Sequence, residues 1–273
     1  MGRRWLRRAV GSILCAALLC LAARSSAGTT LTVAVEDSDN SPMEFVDAGG
    51  RLTGFHIELV RAVCGELGWS AAFDRVPWQR AQALLQSGGA DAVTYLVRSP
   101  ERDAYAVFLA DNALSESLIE LWIRKGRGDE IRWDPPLQQM MQRWRFGGIQ
   151  GWFYSDDFRK AVTGGTSVDM TAPTLLVLGR MLVAGRIDIA AAGPGLARQV
   201  GMVDPDVAAQ LEPLPAPVWR GGPVYIAFTR KADGPTQAKE FAAAYAAWRR
   251  SAGYRTLIAR FGVADRIAFE PID

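Results

Sequence analysis

Residues 77–94 read PWQRAQALLQSGGADAVT, and this stretch decides the fold class. Pro77 is a residue type common at helix starts, and the residues from Trp78 to Gln86 follow it with a helical pattern. Ser87-Gly88-Gly89 ends that helix, and Ala90 to Thr94 then reads as a short buried strand. A helix that ends on glycine and leads at once into an apolar strand predicts an α/β unit.

A similar stretch follows about a hundred residues later. Residues 88–93 (GGADAV) and 184–189 (AGRIDI) share a helix end with glycine, a short turn, an aspartate and an apolar strand. This repeat favours two α/β lobes of similar build. Further strands are predicted at 31–35, 71–76, 146–149 and 224–228, extended segments at 118–123 and 211–217, and helices at 55–67, 155–162, 174–184, 238–250 and 254–261.

The first 27 residues have the pattern of a secretory signal peptide. Four arginines within residues 3–8 precede an apolar run from Ala9 to Ala23, and Ser25-Ser26-Ala27 supplies the small side chains that a signal peptidase reads. The run of about fifteen residues is shorter than an ordinary membrane-spanning helix. We therefore expect cleavage near Ala27 and a periplasmic mature protein; a retained N-terminal anchor is the alternative.

Removal of this segment changes the charge of the chain. Five of the 31 basic residues but none of the 29 acidic ones lie within it, so 26 basic and 29 acidic residues remain, a formal net charge of −3. No basic block survives, so nucleic acid is not an expected partner, and neither is stable membrane insertion.

Cysteine and histidine are scarce in the remaining chain. Cys64 is the only cysteine left, and it lies on the apolar side of a helical pattern, which predicts a buried thiol and no internal disulfide. His56 is the only histidine. We therefore expect no metal site, no cofactor and no histidine-based catalytic triad.

Several short motifs, taken in order, resemble a known family. They are 31–35 (LTVAV), 41–45 (SPMEF), 52–59 (LTGFHIEL), 98–102 (RSPER), 148–151 (GIQG), 185–188 (GRID) and 253–262 (GYRTLIARFG). Each motif alone is loose, but the ordered set is specific and extends over nearly all of the chain after the signal peptide. On these residues the chain resembles the bacterial extracellular solute-binding proteins of family 3, the periplasmic binding proteins of polar amino acids.

The resemblance implies a type II periplasmic-binding-protein fold, in which two α/β lobes are joined by two hinge strands and the ligand lies in the cleft between them. Lobe 1 is then expected to comprise residues 28–118 and 218–273, and lobe 2 residues 119–217. Closure around a ligand is a hinge motion. The function implied is capture of a small polar, carboxylate-bearing solute, an amino acid or a related molecule, by a monomer that delivers it to an inner-membrane ABC permease.

Arg102 is the first candidate for a ligand contact. In the family, the arginine of the motif that reads Ser99-Pro100-Glu101-Arg102 here binds the carboxylate of the ligand. The planar guanidinium suits this role because it donates two parallel, charge-assisted hydrogen bonds to a carboxylate. The alternative is a solvated surface arginine.

Other candidates follow from where strands end. Thr94 and Tyr95 come at the end of the predicted strand from Ala90, and open α/β sheets bind ligands at the carboxyl ends of their strands. Asn40 and Met43 lie in the loop after the first strand, and the same rule applies to them. Trp78 begins a helix beside this edge, with core packing as the alternative role.

The second lobe is expected to contribute the turn at residues 150–155 and Gly193. Free backbone N–H groups at this strand-to-helix turn can bind an anion, and its aromatic residues Trp152 and Tyr154 can stack on a ligand. Gly193 stands where amino-acid binders of the family usually carry an acidic partner for the ligand's amino group. Its lack of charge places an ordinary α-amino acid ligand in doubt, unless Asp37 or Asp39 supplies the charge.

Two other functions remain open from the sequence. Some proteins of this fold are dehydratases of small carboxylic acids, and such an enzyme needs an acid or base in the cleft with a shifted pKa. With one poorly placed histidine, only carboxylates or tyrosines such as Tyr95 and Tyr154 could serve, and no spacing indicates a nucleophile–base pair. The other alternative is a ligand-sensing protein without a transporter. We expect a binding protein and not an enzyme.

Overall fold

A computed structural model describes residues 28–267 of the chain, apart from residues 153, 155 and 165–167. The predicted signal peptide therefore lies outside the described residues. The strands are β1 (Thr30–Glu36), β2 (Phe45–Val46), β3 (Leu52–Thr53), β4 (Ser70–Val76), β5 (Ala92–Val97), β6 (Ala106–Val107), β7 (Ala113–Arg124), β8 (Phe146–Ile149), β9 (Val168–Ala172), β10 (Ile189–Ala192), β11 (Leu211–Pro213) and β12 (Trp219–Thr229). The α-helices are α1 (Phe55–Glu66), α2 (Trp78–Ser87), α3 (Pro100–Asp103), α4 (Leu137–Arg143), α5 (Asp156–Thr163), α6 (Leu175–Val183), α7 (Leu196–Gly201), α8 (Pro205–Ala208), α9 (Gly234–Trp248) and α10 (Ala252–Phe261).

The first lobe is a parallel sheet covered by helices. β1 lies between β4 and β5, with all three strands parallel, and β12 pairs antiparallel with β5. The apolar side of α1, which includes Ile57, Val60 and Val63, is buried against β1, β12, α9 and α10. Cys64 belongs to the same buried cluster, as its place on the apolar side of the helix predicts.

The second lobe repeats this arrangement. β8 lies between β9 and β10, again all parallel, and β7 pairs antiparallel with β10. Alternate residues of β10 point to opposite faces. Ile189 and Ala191 pack into one core with Met140 of α4, and Ala190 and Ala192 pack into the other with Leu178 of α6.

Two long antiparallel strands connect the lobes. β7 pairs with β12 from Ala113 to Ile119, and then with β10 from Glu120 to Ile123. Glycine is required in β12 where the second lobe comes close, because a Cβ at Gly221 would lie 2.8 Å from the carbonyl oxygen of Tyr154. The predicted α/β fold with two lobes is confirmed. Within the described residues, no helix combines the length and the apolar character needed to cross a membrane.

Candidate functional site

A cleft of about 60 Å³ lies between the two lobes. The first lobe lines it with residues at or just after the ends of its parallel strands, and the second lobe does the same with the turns after β8 and β10, as open α/β sheets do. The lining residues relevant to function are Glu36, Asn40, Trp78, Tyr95, Arg102, Ser117, Trp152, Tyr154, Gly193 and Arg266. The structure thus brings together seven of the predicted site residues: Asn40, Trp78, Tyr95, Arg102, Trp152, Tyr154 and Gly193.

Arg102 is held in the cleft by the short helix α3. Ser99 caps this helix by accepting a hydrogen bond from the Arg102 backbone N–H. The side chain is only 7% exposed, and burial lowers the pKa of Arg102, but a guanidinium stays protonated in proteins. Its Nη1 donates to the carbonyl oxygen of Val97 at 2.7 Å. Among the described residues, no carboxylate forms an ion pair with it, and Glu101 acts on it only through its charge.

The carbonyl oxygen of Gly151 receives two hydrogen bonds from the first lobe. Arg102 Nη2 donates to it at 2.8 Å and Trp78 Nε1 at 3.2 Å. Gly151 belongs to the turn after β8 and has a φ of +78°, in the left-handed region that glycine adopts without strain. The turn predicted to contact ligand is therefore also the point where both lobes meet.

A further hydrogen bond links the lobes at the rim. Arg198 of α7 donates from Nη2 to the carbonyl oxygen of Ser41 at 2.9 Å. Arg159 of α5 also lies 3.7 Å from Glu101 of α3. Each of these contacts joins residues on opposite sides of the cleft, so each stabilises the closed arrangement.

Glu36 is a cleft residue that the sequence analysis did not identify. It ends β1, is buried, and accepts hydrogen bonds from Asn40 Nδ2 at 3.2 Å and from Ser38 Oγ at 3.4 Å. Burial, with a smaller effect from the charge of Glu44, raises the pKa of Glu36 to about 7. Open α/β sheets bind ligands at the carboxyl ends of their strands, and this rule led to Asn40 in the loop after the first strand. The same rule applies to Glu36, a polar residue that directly follows the apolar residues of that strand. Among the described residues, the acidic side chain that lines the cleft is thus Glu36, and neither Asp37 nor Asp39 lines it.

Tyr95 has an unusual backbone conformation within β5. Its φ is +61°, a region that bulky residues rarely adopt and that is often found at functional sites. Burial raises the pKa of Tyr95 to about 12. Tyr95 is half-buried, whereas Tyr154 is buried. The Tyr154 hydroxyl accepts a hydrogen bond from the Ile149 N–H at 2.7 Å, and burial raises its pKa. Neither tyrosine is disposed to act as a base at neutral pH.

His56 forms a chain of hydrogen bonds behind Tyr95. Its Nδ1 lies 2.9 Å from Glu44 Oε1 and its Nε2 lies 2.9 Å from Ser115 Oγ. This is the order of groups found in serine hydrolases, and it was not expected from the sequence. All three side chains are buried, and none lines the cleft. The ring of Tyr95 covers His56 with a centroid distance of 5.2 Å.

Two predicted site residues do not line the cleft. Thr94 is fully buried, because successive side chains of a strand point to opposite faces and the cleft receives its neighbour Tyr95. Met43 lies in the core of the first lobe. Its backbone carbonyl accepts the N–H of His56 at 3.1 Å, which fixes this loop residue against the start of α1.

The second lobe contributes no acid to the cleft among its described residues. Gly193 follows β10, and the other lining residues around it are Ala192, Pro194 and Gln199. A Cβ at Gly193 would meet only the carbonyl oxygen of Leu118 at 3.8 Å, an ordinary contact. No group of three or more histidine, cysteine, aspartate or glutamate side chains within the described ranges is arranged to hold a metal ion.

Solved structures that share this fold include binding proteins, a sensor domain and a precursor of an enzyme. An ancestral arginine-binding protein bound to arginine is 21% identical, with a TM-score of 0.67 over 85% of this chain and 97% of its own. A histidine kinase sensor domain with similarity to periplasmic binding proteins is 18% identical, with a TM-score of 0.66 over 88% of this chain and 98% of its own. An ancestral amino acid-binding protein, a precursor of cyclohexadienyl dehydratase, is 20% identical, with a TM-score of 0.62 over 85% of this chain and 95% of its own. At these identities the likeness shows the fold alone.

A match at the level of the family is more direct. No curated protein matches the chain. The family model of the bacterial extracellular solute-binding proteins, family 3, matches residues 31–261, which include the connecting strands and every cleft residue named above except Arg266. The resemblance in the short motifs is confirmed, and the chain belongs to the bacterial extracellular solute-binding proteins of family 3.

Proposed function

We propose that this protein captures a small carboxylate-bearing solute in the periplasm and delivers it to an inner-membrane ABC permease. The observation that carries the proposal is Arg102, a buried guanidinium on the wall of the cleft without an acidic partner among the described residues. A buried charge is costly unless it is paired. A ligand carboxylate supplies the missing negative charge and suits the fork of the guanidinium.

The remaining cleft residues are assigned to shape and orientation. Trp78, Trp152 and Tyr154 supply aromatic surface for the apolar part of the solute. Asn40 and Tyr95 supply polar groups beside Glu36, and Gly193 leaves room on the side of the second lobe. Sites of this kind, mostly apolar with a few placed polar groups, are typical of small-molecule binding.

The pairing of β7 supports a hinge between the lobes. Its partner changes from β12 to β10 between Ile119 and Glu120. We place lobe 1 at residues 28–118 and from residue 218 onward, of which residues 268–273 lie outside the described part of the chain, and lobe 2 at residues 119–217, with export directed by residues 1–27. Ligand then favours the closed form by the contacts that it makes with both lobes.

An enzyme on this scaffold is the second candidate, and the Ser115–His56–Glu44 chain is the observation that favours it. The order and the two 2.9 Å distances match a nucleophile, a base and an orienting acid. Burial of all three side chains behind Tyr95 argues against it, because a substrate in the cleft does not reach the Ser115 hydroxyl. Turnover of a bound acid, lost in Ser115→Ala, would favour this candidate.

The experiment is a thermal-shift screen of organic acids and amino acids, followed by calorimetry. A ligand that binds only the folded state must raise the melting temperature. The Kd of the solute that binds tightest is then measured for Arg102→Lys, a variant that keeps the positive charge but loses the bidentate fork. Loss of one charge-assisted hydrogen bond costs about 1.5–3 kcal/mol, so we expect Kd to rise at least about tenfold.

Arg98→Lys is the matched control for this substitution. Arg98 lies four residues earlier, is exposed, and forms an ion pair with Asp103 at 2.9 Å, away from the cleft. Its replacement is expected to leave Kd unchanged. Equal affinities of the wild-type and Arg102→Lys proteins for every carboxylate that binds would remove Arg102 from the site.

A further inference from the structure

The charged groups that line the cleft are unequal in number. Two guanidinium groups, Arg102 and Arg266, face one carboxyl group, Glu36. Arg266 ends the short 3-10 helix Ala264–Arg266 after α10. Its charge acts on Tyr95 and Glu120, but no carboxylate among the described residues lies within ion-pair distance of it. The cleft therefore presents an excess of positive charge to a solute.

Glu36 is poorly placed to serve a ligand cation. Both of its carboxyl oxygens already accept hydrogen bonds, one from Asn40 and one from Ser38. A second buried carboxyl group, that of Glu44, lies close enough for its charge to act on Glu36. The charge of Glu44 and the burial of Glu36 both disfavour the ionised form of Glu36, so Glu36 adds little negative charge to the cleft.

The side of the cleft formed by the second lobe also offers no negative charge among its described residues. The end of β10 contributes Ala192, Gly193 and Pro194, and α7 contributes Gln199. Removing an ammonium group from water without a paired anion carries a large desolvation penalty. A solute with an amino group would meet two arginines and no free carboxylate.

We infer that the solute is a small organic acid without an amino group, and that a dicarboxylate binds more tightly than a monocarboxylate. The inference rests on the proposed function, since it assumes that Arg102 binds a carboxylate. It adds that the second acidic group lies toward Arg266, and that the ammonium group of an amino acid is rejected for lack of a counter-charge.

Two matched pairs of probes test the inference by calorimetry at one pH. Succinate and L-aspartate differ by one amino group, and so do glutarate and L-glutamate. We expect each amino-free acid to bind at least tenfold more tightly than the corresponding amino acid. The ammonium group of the amino acid loses its hydrogen bonds to water and finds no paired anion in the cleft. Amino acids that bind as tightly as their partners would overturn the inference and leave the proposed function intact. Failure of all four probes, of propionate and of L-arginine would overturn both.

A substitution of Gly193 is expected to raise the affinity of the cleft for an amino acid. A Cβ there meets only the Leu118 carbonyl oxygen at 3.8 Å, so the first atom of a side chain fits without clash. Gly193→Asp supplies the missing carboxylate, and we expect it to raise the affinity for L-aspartate relative to succinate by at least tenfold. Asparagine has the same shape as aspartate but no charge, so Gly193→Asn should still bind succinate more tightly than L-aspartate, as the wild type is expected to do. Equal effects of the two substitutions would contradict the charge argument.

Arg266 is tested separately. Arg266→Gln should weaken succinate binding several-fold more than propionate binding, because only succinate carries a second carboxylate. Arg255→Gln is the control, since Arg255 lies on α10, does not line the cleft, and donates to the carbonyl oxygen of Arg250 at 3.2 Å. A loss of propionate binding as large as that of succinate would exclude Arg266 as the partner of a second carboxylate.

Discussion

Glu36 combines burial with a position at the edge of the binding cleft. Its pKa in the folded protein is about 7, against an ordinary value of 4.5, and burial is the main cause. Between these two values the folded state binds more protons than the unfolded state, so stability falls as the pH rises through this window. The side chain is 6% exposed, so the effect is not reduced by solvent screening.

The resulting prediction concerns Glu36→Gln, which replaces the titrating carboxyl group with a neutral amide. Between pH 5 and pH 7.5 the wild-type protein should lose up to about 3 kcal/mol more stability than this variant. Thermal melts of the unliganded proteins across this range measure the difference, which amounts to several degrees for a chain of this size. Glu66→Gln replaces an exposed carboxyl group of α1 and should keep the wild-type pH dependence. Parallel curves for the wild type and Glu36→Gln would contradict the prediction.

The individual site residues differ in how far the sequence could identify them. Arg102 follows from a motif, and Trp78 and Asn40 follow from their positions after strands. Thr94 and Met43 were expected at the cleft, but the direction of a side chain depends on strand register, which the local sequence does not fix. The His56 contacts with Glu44 and Ser115 join residues 12 and 59 positions apart, and no local pattern predicts them.

Elements with a local pattern were predicted closely, whereas those that depend on distant partners were not. α1 was expected at 55–67 and lies at Phe55–Glu66. β7 was expected only at 118–123 but begins at Ala113. Its first half, residues 113–117 (ALSES), is polar and mixed, and it is a strand because β12 pairs with it. β12 in turn contains Gly221-Gly222-Pro223, which interrupts the apolar run in the sequence.

The start of α1 provides a test at the scale of the element. Gly54 has a φ of +123°, and a Cβ there would overlap the backbone carbonyl of Met43. We expect Gly54→Ala to destabilise the protein by about 1–3 kcal/mol from backbone strain alone, with the clash in addition. Chemical denaturation of the unliganded protein measures the loss.

Gly65 is the matched control in the same helix. Its φ is ordinary, and no atom lies within 4 Å of a Cβ built there. Gly65→Ala should therefore raise stability by about 0.5–1 kcal/mol, because alanine loses less backbone freedom than glycine when a helix forms. If both substitutions change stability alike, the cause is helix propensity and not the close approach at Gly54.

At the scale of the whole molecule, the hydrogen bonds across the cleft decide how firmly the lobes close. The repeated helix–glycine–strand pattern favours a fold with two lobes, and the resemblance of the short motifs to a known family implies it, but neither predicts the contacts between the lobes. Arg198 to Ser41 joins residues 157 positions apart, and Trp78 to Gly151 joins residues 73 apart. Such contacts form only after both lobes have folded, so the local sequence holds no signal for them.

Arg198→Ala tests whether these contacts matter for binding. Arg198 donates to Ser41 across the rim at 2.9 Å but is not part of the cleft lining, so its loss changes closure and not the contacts with the solute. A net loss of about 1 kcal/mol from one hydrogen bond reduces the closed population and raises the apparent Kd about fivefold. Stopped-flow and calorimetric measurements should place this change in the dissociation rate, since the open form meets the solute as before.

Arg180→Ala is the control, because Arg180 is also an exposed arginine of lobe 2 but pairs with Asp204 of the same lobe at 2.9 Å. If the two variants bind the solute alike, the Arg198 bond does not contribute to closure, and the contacts at Gly151 and between Arg159 and Glu101 hold the lobes together without it.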